Sequence, residues 1–320
     1  MQSEGRAALD VITMGRVGVD LYPLQAGPLE DVATFGRFLG GSATNVAVAA
    51  ARLGERSAVI TRVGADPFGR FVRRALGELG VDDRYLAEVD HLPTPVTFCE
   101  LFPPDRFPIY FYRLPKAPDL EIAPDELDLE AIAAAPLFWC TVTGLSAEPS
   151  LSAHRRALSA RARRRFTVLD LDYRAVFWPS VEVARDTIAS VIGDVSVVVG
   201  NREECAVATG ESEPDRAAEA LLSMGVELVI VKGGPHGVLG RSATERVEVK
   251  PHPVEVVNGL GAGDAFGGAL CHGLLADWPL EQLLSFANVA GAIVATRLEC
   301  STAMPTLAEV ATELGELPRA

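Results

Sequence analysis

The sequence predicts an α/β protein with a mainly parallel central sheet that is covered by helices on both faces. Short runs of nearly continuous Val, Ile and Leu alternate along the chain with amphipathic helical patterns, which is typical of strands buried in such a sheet. Polar residues gather where the predicted strands end, as they do at the ligand edge of open α/β sheets. A β-rich segment from about 82 to 113 predicts a small inserted sheet. We therefore expect one domain over residues 1–320, with a β-sheet lid formed mainly by 82–113 and in part by 15–40.

In the first third of the chain, particular residues mark the ends of the helices. Asp66 followed by Pro67 combines an N-cap side chain with a proline whose fixed φ suits the first helical turn. Gly54 and Gly80 favour the left-handed conformation that ends many helices. The elements predicted here are strands at 11–14 and 58–63 and helices at 46–53 and 67–80.

From about residue 137 onward, strands and helices alternate regularly, as in a parallel sheet with crossover helices. The predicted elements are strands at 137–142, 166–170, 195–199 and 228–231, and helices at 149–163, 181–192, just after 201, and 215–224. A cluster of arginines at the end of the first of these helices predicts a solvated helix face without a function. Its members are Arg155, Arg156, Arg161, Arg163, Arg164 and Arg165.

The β-rich segment contains two runs, 96–102 and 109–113, with a Pro-Pro-Asp loop between them, which predicts a hairpin. Such strands do not join a parallel core easily, so we expect the hairpin to belong to a small sheet that stands off the main body. Insertions of this kind commonly act as a lid over a site or as a dimer surface.

The charge and composition exclude several classes of partner. With a formal net charge of −14, the chain is not expected to bind nucleic acid or an anionic membrane surface, so local arginines and backbone dipoles must hold any anionic substrate. No apolar run approaches the roughly 20 residues of a membrane helix. The first ten residues contain Glu4, Arg6 and Asp10 and lack the apolar core of a signal peptide. We therefore expect a soluble, cytoplasmic protein.

The cysteines and histidines do not predict a metal centre. The five histidines show no ligand spacing, and the five cysteines are scattered and odd in number, which favours reduced thiols over disulfides. The cysteines are Cys99, Cys140, Cys205, Cys271 and Cys300.

The glycine-rich stretch 258–270 contains the strongest functional signal. It follows an apolar extended run at 254–257 and opens into a helical pattern, so its glycines lie at a strand-to-helix turn. Without side chains at Gly261 and Gly263, several backbone N–H groups can point at one anion beside the positive end of a helix dipole. Asp264 follows in the first helical turn. It is either a base that takes a proton from an attacking hydroxyl or a residue that caps the helix.

Other candidate site residues, glycines as well as polar residues, lie at the ends of predicted strands or just before helices. Gly40 and Gly41 precede a helix, where they allow close approach of a ligand or form only a tight turn. Asn201 and Glu204 either face the site or form a capping box. No Walker pattern occurs, and no Gly-x-Gly-x-x-Gly follows the first strand, which disfavours P-loop and Rossmann sites. The remaining polar residues at strand ends are Asp20, Asp170, Asp172, Arg174 and Lys232.

Together these motifs resemble the ribokinase-like (PfkB) carbohydrate kinases over nearly the whole chain. The family's glycine-rich C-terminal signature appears as 258–266, and its N-terminal Gly-Gly-x-x-x-Asn as 40–45. The Asn-x-x-Glu motif appears as 201–204, and the Lys-Gly-Gly-x-x-Gly element as 232–237. Several independent motifs therefore occur in the family's order.

The resemblance implies a ribokinase-like fold, ATP and Mg²⁺ as cofactors, and a role for each matching position. Asp264 would be the catalytic base, and the backbone of Gly261, Ala262 and Gly263 would form the anion hole. The sugar hydroxyls would be held by Asp20, Gly40, Gly41 and Asn45. The nucleotide would lie along Asn201, Lys232, Gly234, Gly237 and Asn288, with Mg²⁺ and its waters organised by Asn201 and Glu204. The inserted sheet would be the family's lid, through which a homodimer would form.

Two departures from the family pattern bear on the ligands. Asn258 replaces the aspartate that most members carry, a position tied to a monovalent-cation site, so the resemblance leaves potassium activation open. Arg16 stands where ribokinases often have asparagine, which disfavours a neutral pentose at that contact.

Several runs resemble the branch that phosphorylates a dehydro-deoxy sugar acid in inositol catabolism, and 2-keto-3-deoxygluconate kinases come second. We expect Arg16, Arg113 and Arg174 to converge on the sugar pocket, where arginine suits a carboxylate. Alternatively they only brace the fold by pairing with Asp170, Asp172 or Glu100. A non-catalytic sugar- or nucleotide-binding protein on the same fold is the alternative of a different class, and the presence of Asp264 disfavours it. The runs are 15–23, 107–113 and 170–174 with Trp178.

Overall fold

The computed structural model describes residues 8–315 and, within them, shows a nine-stranded and a four-stranded sheet, which confirms the predicted class. The strands are β1 (Val11–Met14), β2 (Gly18–Pro23), β3 (Phe35–Gly40), β4 (Ser57–Gly64), β5 (Leu86–Val89), β6 (Val96–Cys99), β7 (Ile109–Tyr112), β8 (Leu137–Thr141), β9 (Thr167–Asp170), β10 (Val197–Asn201), β11 (Leu228–Lys232), β12 (Val238–Ser242) and β13 (Arg246–Val249). The helices are α1 (Ser42–Arg52), α2 (Pro67–Glu78), α3 (Leu129–Ala134), α4 (Ser150–Arg161), α5 (Val181–Ala189), α6 (Arg202–Thr209), α7 (Pro214–Ser223), α8 (Ala262–Leu275), α9 (Leu280–Ala295) and α10 (Leu307–Glu313).

The nine-stranded sheet runs in the order β13-β12-β11-β10-β9-β8-β1-β4-β5. Every neighbouring pair from β11 to β5 is parallel, as predicted. Strands β1, β8 and β9 are buried along their whole length, which explains why they are not amphipathic. The carboxyl ends of β1, β9, β10 and β11 therefore meet at one edge, where the predicted site residues follow them.

Two antiparallel strands, β12 and β13, extend this sheet beyond β11 and were not predicted. The reversal depends on Gly237, which has φ +86° and where a Cβ would lie 2.0 Å from the carbonyl oxygen of Val249. Only glycine fits this turn. The glycines at 233–237 therefore also indicate a hairpin, although they were interpreted only as part of a nucleotide site.

Helices cover both faces of the nine-stranded sheet, as predicted. Adjacent residues of β8 divide between the two cores, since Phe138 packs with Leu158 and Ile188 on one face and Trp139 packs with Phe266 on the other. Among residues 8–315, no helix combines the length and the apolar character needed to cross a bilayer. The predicted lack of a signal peptide concerns the first ten residues, and residues 1–7 lie outside the described part of the chain.

The four-stranded sheet runs in the order β3-β2-β6-β7, and β6 and β7 form the predicted antiparallel hairpin. It begins later than predicted, because Leu86–Val89 pairs with β4 in the large sheet. Strands β2 and β3 come from the 15–40 region. Their side chains alternate between two faces: Asp20 shares a face with Phe38 and Thr97, while Leu21 and Phe98 share the other.

Two local predictions were wrong. The run at 254–257 is not a strand, and its neighbours Pro251 and Pro253 lack the N–H groups that a ladder needs. In the arginine cluster, Arg161 is fully buried instead of solvated. Its guanidinium donates to the carbonyl oxygens of Ile132 at 3.1 Å and of Arg165 at 3.0 Å, so it braces loops beside β9.

Candidate active site

The glycine-rich loop before α8 presents backbone N–H groups that have no protein acceptor. Gly261 is left-handed with φ +81°, and a Cβ there would lie 2.8 Å from Sγ of Cys300, so only glycine fits. The N–H groups of Gly261, Ala262 and Gly263 have no hydrogen-bond acceptor within the described residues. Together with the positive end of the α8 dipole, they are suited to bind an anion.

Asp264 lies in the first turn of α8, as predicted, but it does not cap the helix. Its Oδ2 accepts a hydrogen bond from Nδ2 of Asn45 at 2.7 Å, and Oδ1 of Asn45 lies 2.5 Å from Oγ of Ser301, which fixes the amide's orientation. Burial raises the pKa of Asp264 to about 6, and the charge of Asp172 adds to this effect. The carboxylate is therefore ionised at neutral pH and suited to accept a proton.

The two glycines before α1 make room for protein atoms. A Cβ at Gly40 would lie 2.3 Å from the Asp20 carboxylate, and a Cβ at Gly41, which has φ +103°, would lie 2.5 Å from the carbonyl oxygen of Arg16. The Asp20 carboxylate is buried and accepts a hydrogen bond from the Tyr22 hydroxyl at 2.8 Å. Burial raises the pKa of Asp20 to about 6.

Asp172 is the centre of a buried ionic network at the end of β9. Its Oδ1 lies 2.8 Å from Nη2 of Arg174, and its Oδ2 accepts hydrogen bonds from Ser42 at 2.6 Å and from Nη2 of Arg16 at 3.3 Å. Burial alone would raise the pKa of Asp172, but Arg174 and Arg16 outweigh burial and hold it below its usual range. The structure thus brings together two of the three predicted arginines, each already paired with a carboxylate.

Arg113 lies apart from this network at the end of β7. It is buried, pairs with Asp119 at 2.8 Å and stacks 5.0 Å from the ring centroid of Phe177. The bracing partners expected from the sequence were Asp170, Asp172 or Glu100, and Asp119 was not among them. Phe111 of the same strand packs on Phe177 at 4.9 Å, so β7 contacts the segment that follows Arg174.

Asn201 and Glu204 form the capping box that the sequence analysis left as an alternative. Oδ1 of Asn201 accepts from the backbone N–H of Glu204 at 2.9 Å, and Oε2 of Glu204 accepts from that of Asn201 at 2.7 Å. The second oxygen of Glu204 lies 3.4 Å from Nη1 of Arg174. The capping box therefore points one carboxylate oxygen into the site, so capping and a role at the site are compatible.

Lys232 ends β11, and its Nζ would lie 3.3 Å from a Cβ at Gly263. Burial alone would lower the pKa of Lys232, but the carboxylates of Asp170, Glu204 and Asp264 outweigh burial and raise it. Burial raises the pKa of Asp170, against the opposing charge of Lys232. A protonated amine is thus held next to the anion-binding loop.

Of the other predicted nucleotide residues, the Asn288 side chain has a structural partner, whereas Gly234 faces open space. Asn288 of α9 donates to the carbonyl oxygen of Lys250 at 2.8 Å. Gly234, with φ +56°, lies between β11 and Gly237 and has open space around it. Asn258 is buried and its Nδ2 donates to the carbonyl oxygen of Leu298 at 2.7 Å, a bond that an ionised aspartate could not donate.

The described residues contain no group of three or more His, Cys, Asp or Glu side chains arranged to hold a metal ion without a ligand's help. Residues that the sequence analysis missed as parts of the site are Ser42, Ser301 and Tyr22. Ser42 lies inside the Gly40–Asn45 motif, which offered a signal. Tyr22 lies in the run 15–23, two residues from Asp20 on the same strand, which also offered a signal. Ser301 lies outside every motif, and only the fold brings it to the site.

Known proteins resemble this chain over most of its length. The profile of the pfkB family carbohydrate kinases matches residues 8–307. The 5-dehydro-2-deoxygluconokinase of Shouchella clausii strain KSM-K16 is 33% identical over 310 residues, which covers 94% of each chain. The enzyme of the same name from Photobacterium profundum is 35% identical over 308 residues, covering 93% of this chain and 92% of that protein.

A solved structure of a PfkB protein from Polaromonas sp. JS666 superposes with a TM-score of 0.82 and 26% identity. The match covers 92% of this chain and 98% of that chain. The family match thus covers most of the chain, including both sheets and the glycine-rich loop with Asp264. The chain belongs to the pfkB family of carbohydrate kinases and is an ATP-dependent sugar kinase.

Proposed function

We propose that this kinase phosphorylates the terminal hydroxymethyl group of a sugar acid, 5-dehydro-2-deoxy-D-gluconate, to give the 6-phosphate in inositol catabolism. The observation that carries the proposal is that Arg16 and Arg174, on either side of Asp172, each keep a buried Nε–H without an acceptor among residues 8–315. A buried charged donor without a partner is costly, so an anionic ligand group would be stabilised there. The two relatives described above are both 5-dehydro-2-deoxygluconokinases, which supports the same substrate.

In this proposal the chain's own residues position the reactants and move one proton. Asp264 accepts the proton of the attacking hydroxyl, while Asn45 holds its carboxylate in place. The N–H groups of Ala262 and Gly263 and the Lys232 amine receive the charge of the transferring phosphoryl group. Asp20 accepts a hydrogen bond from a sugar hydroxyl, as the family resemblance implies.

The charges of the site fit a bound Mg²⁺. When bound with ATP, Mg²⁺ supplies charge neutralisation at the phosphate oxygens. Glu204 and Asn201 would hold its waters, since carboxylate and amide oxygens suit this ion and one Glu204 oxygen has only a long contact to Arg174. Carboxylates also outnumber cations in the cluster, so it has capacity for further positive charge. The carboxylates are Asp170, Asp172, Glu204 and Asp264, and the cations are Arg16, Arg174 and Lys232.

Other substrates are runners-up within the same chemistry. A 2-keto-3-deoxygluconate kinase would use the same arginines, because its substrate is also a sugar acid. A fructokinase or ribokinase would leave the Nε–H groups of Arg16 and Arg174 without an ionic partner. A non-catalytic sugar- or nucleotide-binding protein would not need the carboxylate of Asp264 held beside an anion site.

The deciding experiment measures kcat/KM with Mg²⁺-ATP for 5-dehydro-2-deoxygluconate, 2-keto-3-deoxygluconate, fructose and ribose. We expect the first acid to be preferred over both neutral sugars. A preference for 2-keto-3-deoxygluconate would change the substrate but keep the carboxylate argument. A clear preference for fructose or ribose would overturn that argument, and ATP binding without turnover of any sugar would favour the non-catalytic alternative.

Arg113 provides a second test of the sugar acid. We expect Arg113→Gln, which keeps a donor for Asp119 but removes the charge, to raise the KM for the acid about tenfold through loss of a charge-assisted contact. Binding of Mg²⁺-ATP should stay nearly unchanged. The matched control is Arg106→Ala, an exposed arginine in the loop of the same hairpin, which should change neither constant. An unchanged KM in Arg113→Gln would leave this arginine only a bracing role.

We also propose that the small sheet serves as a lid on one face and as a homodimer surface on the other. The outer face presents an aromatic row in which Phe98 lies edge-on to both Phe35 and Tyr112, and Tyr112 is 67% exposed. Exposed aromatic rows of this kind favour association. Sedimentation of the protein and of Tyr112→Glu tests the dimer: we expect a dimer that the substitution dissociates. A monomeric wild type would remove the interface from the proposal.

A further inference from the structure

A small hydrophobic cluster joins the four-stranded sheet to the glycine-rich loop before α8, which we call the catalytic loop. This cluster is separate from the cores on the two faces of the large sheet. Its buried members are Tyr22 of β2, Cys99 of β6, Leu101 and Cys300. Leu260 of the catalytic loop packs against them. The cluster therefore connects the strand that carries Asp20 with the loop that would bind the phosphate.

The hydroxyl of Tyr22 lies at the centre of this contact. It donates to Oδ2 of Asp20 at 2.8 Å and lies 3.0 Å from Sγ of Cys300, which is 278 residues away along the chain. Because the Tyr22 proton is used by Asp20, the Cys300 thiol is the donor in the second bond. Burial raises the pKa of Cys300, which keeps the thiol protonated and able to donate.

Cys300 in turn supports the turn that opens the anion site. Its Sγ lies 2.8 Å, and its Cβ 3.0 Å, from the place that a Cβ of Gly261 would occupy. The ring of Phe107, which packs against the same cluster, lies 3.2 Å from the corresponding position at Gly259. Phe107 of the lid hairpin and the thiol thus both contact the loop whose N–H groups have no acceptor among the described residues.

We propose that Tyr22 is a positioning residue of phosphoryl transfer, since its hydroxyl holds the Asp20 carboxylate on the sugar side and the Cys300 thiol behind the Gly261 turn on the phosphate side. This inference rests on the proposed function for the role of Asp20. Tyr22 touches neither reactant in this arrangement and acts through the two groups it holds. Hydrogen bonds in such a chain strengthen one another, so losing the central hydroxyl affects both ends.

The first test is Tyr22→Phe, which removes only the hydroxyl. We expect the KM for the sugar to rise about tenfold, as for loss of a hydrogen bond to a charged group, and kcat to fall about fivefold through loss of the Cys300 contact. The KM for Mg²⁺-ATP should stay within about twofold. The matched control is Tyr85→Phe, because the Tyr85 hydroxyl also donates to a carboxylate, that of Asp128 at 3.2 Å, on the edge of the large sheet. Wild-type constants in Tyr22→Phe, or equal losses in both variants, would overturn the proposal.

The second test separates the phosphate side from the sugar side. Cys300→Ala keeps the Tyr22–Asp20 bond, so we expect kcat to fall about fivefold, as for loss of one neutral hydrogen bond, with little change in the sugar KM. Cys300→Ser restores a donor and should recover most of kcat. If Cys300→Ala and Cys300→Ser behave alike, or if both raise the sugar KM as much as Tyr22→Phe does, the two-sided role is wrong.

Two measurements keep these outcomes distinct from folding defects and from the substrate assignment. Thermal midpoints of all variants show whether a loss is merely structural, and if Tyr22→Phe does not fold, the Ala and Ser variants at Cys300 decide the proposal. The substrate panel on the wild type is done first, and the Tyr22 comparison then uses the sugar that the wild type phosphorylates best. A neutral sugar as best substrate would therefore overturn the proposed function without deciding the role of Tyr22.

Discussion

The two sides of the candidate active site hold positive charge in different ways. On the phosphate side, backbone N–H groups of Ala262 and Gly263, fixed by α8 and the Gly261 turn, supplement the amine of Lys232. On the sugar side, the charges are those of Arg16 and Arg174, which already share the Asp172 carboxylate. Backbone N–H groups held by a helix cannot turn to pair with a nearby carboxylate, whereas flexible side-chain cations can. The phosphate side is therefore ready for an anion, and the sugar side stays neutralised until a ligand competes with Asp172.

The largest effect should come from Asp264→Asn, which leaves the backbone donors of the phosphate side intact. We expect kcat to fall about 10² to 10⁴-fold with little change in the KM for Mg²⁺-ATP, because only the proton transfer is lost. Steady-state kinetics measure both constants. The control is Asp277→Asn, an exposed carboxylate just after the other end of α8. A kcat near that of the wild type would show that Asp264 is not the base.

Next in size, Glu204→Gln should separate helix capping from metal binding. Glutamine can still accept from the backbone N–H of Asn201, so α6 and the thermal midpoint should be preserved. Loss of the charge should raise the Mg²⁺ concentration for half-maximal activity about tenfold. Titration of Mg²⁺ at fixed ATP measures this, with Glu203→Gln, its exposed neighbour, as control. An unchanged titration would leave Glu204 only its capping role.

Arg174→Ala tests whether the sugar side works through its shared carboxylate. Removing this guanidinium takes away the largest effect that holds the pKa of Asp172 low and also a contact to Glu204. We expect both kcat and the KM for the sugar acid to worsen, each about tenfold, with partial recovery in Arg174→Lys. Measuring the same constants on fructose sharpens the comparison, since an equal loss on the neutral sugar would indicate bracing alone.

The pH dependence should show the smallest effect near neutrality. The pKa of Asp264 is raised to about 6 from an ordinary value near 3.8, so the base is ionised above pH 6 and becomes protonated as the pH falls through 6. We expect kcat/KM for the sugar to fall by about tenfold or more per pH unit below that value. The fall should be steeper than one proton allows, because the pKa of Asp20 is also raised to about 6. Asp20→Asn should return the slope to one proton, and a flat profile down to pH 5 would contradict both assignments.

Features that depend on neighbouring residues were predicted well. Asp66 caps α2 by accepting from the backbone N–H of Gly69 at 2.8 Å, with Pro67 at the first helical position. The Asn201–Glu204 capping box was foreseen as one of two alternatives, and the hairpin of β6 and β7 followed from its two β-rich runs. In each case the signal and the contact lie within a few residues of each other, so the chain's local chemistry is sufficient.

Features that depend on distant partners could not be predicted in the same way. The Asn45 amide meets Asp264 across 219 residues, and nothing beside Asn45 indicates that it holds a base. Arg161 lies in a run of arginines that the sequence suggests is solvated. It is nevertheless buried, and its guanidinium donates to a carbonyl oxygen of another segment. The pairing of Arg113 with Asp119 was missed because burial, not spacing, makes a carboxylate at that position necessary.

The alternation of side chains along β2 has a consequence for engineering. Asp20 points toward the candidate sugar site, and its neighbour Leu21 points to the opposite face of the same sheet. If two copies associate through the outer face, sugar affinity and dimer affinity are thermodynamically reciprocal: whatever factor one ligand applies to the other equilibrium is returned unchanged. Where that factor differs from one, substrate range and assembly could not be redesigned independently in this sheet, and a measured sugar affinity would depend on the protein concentration.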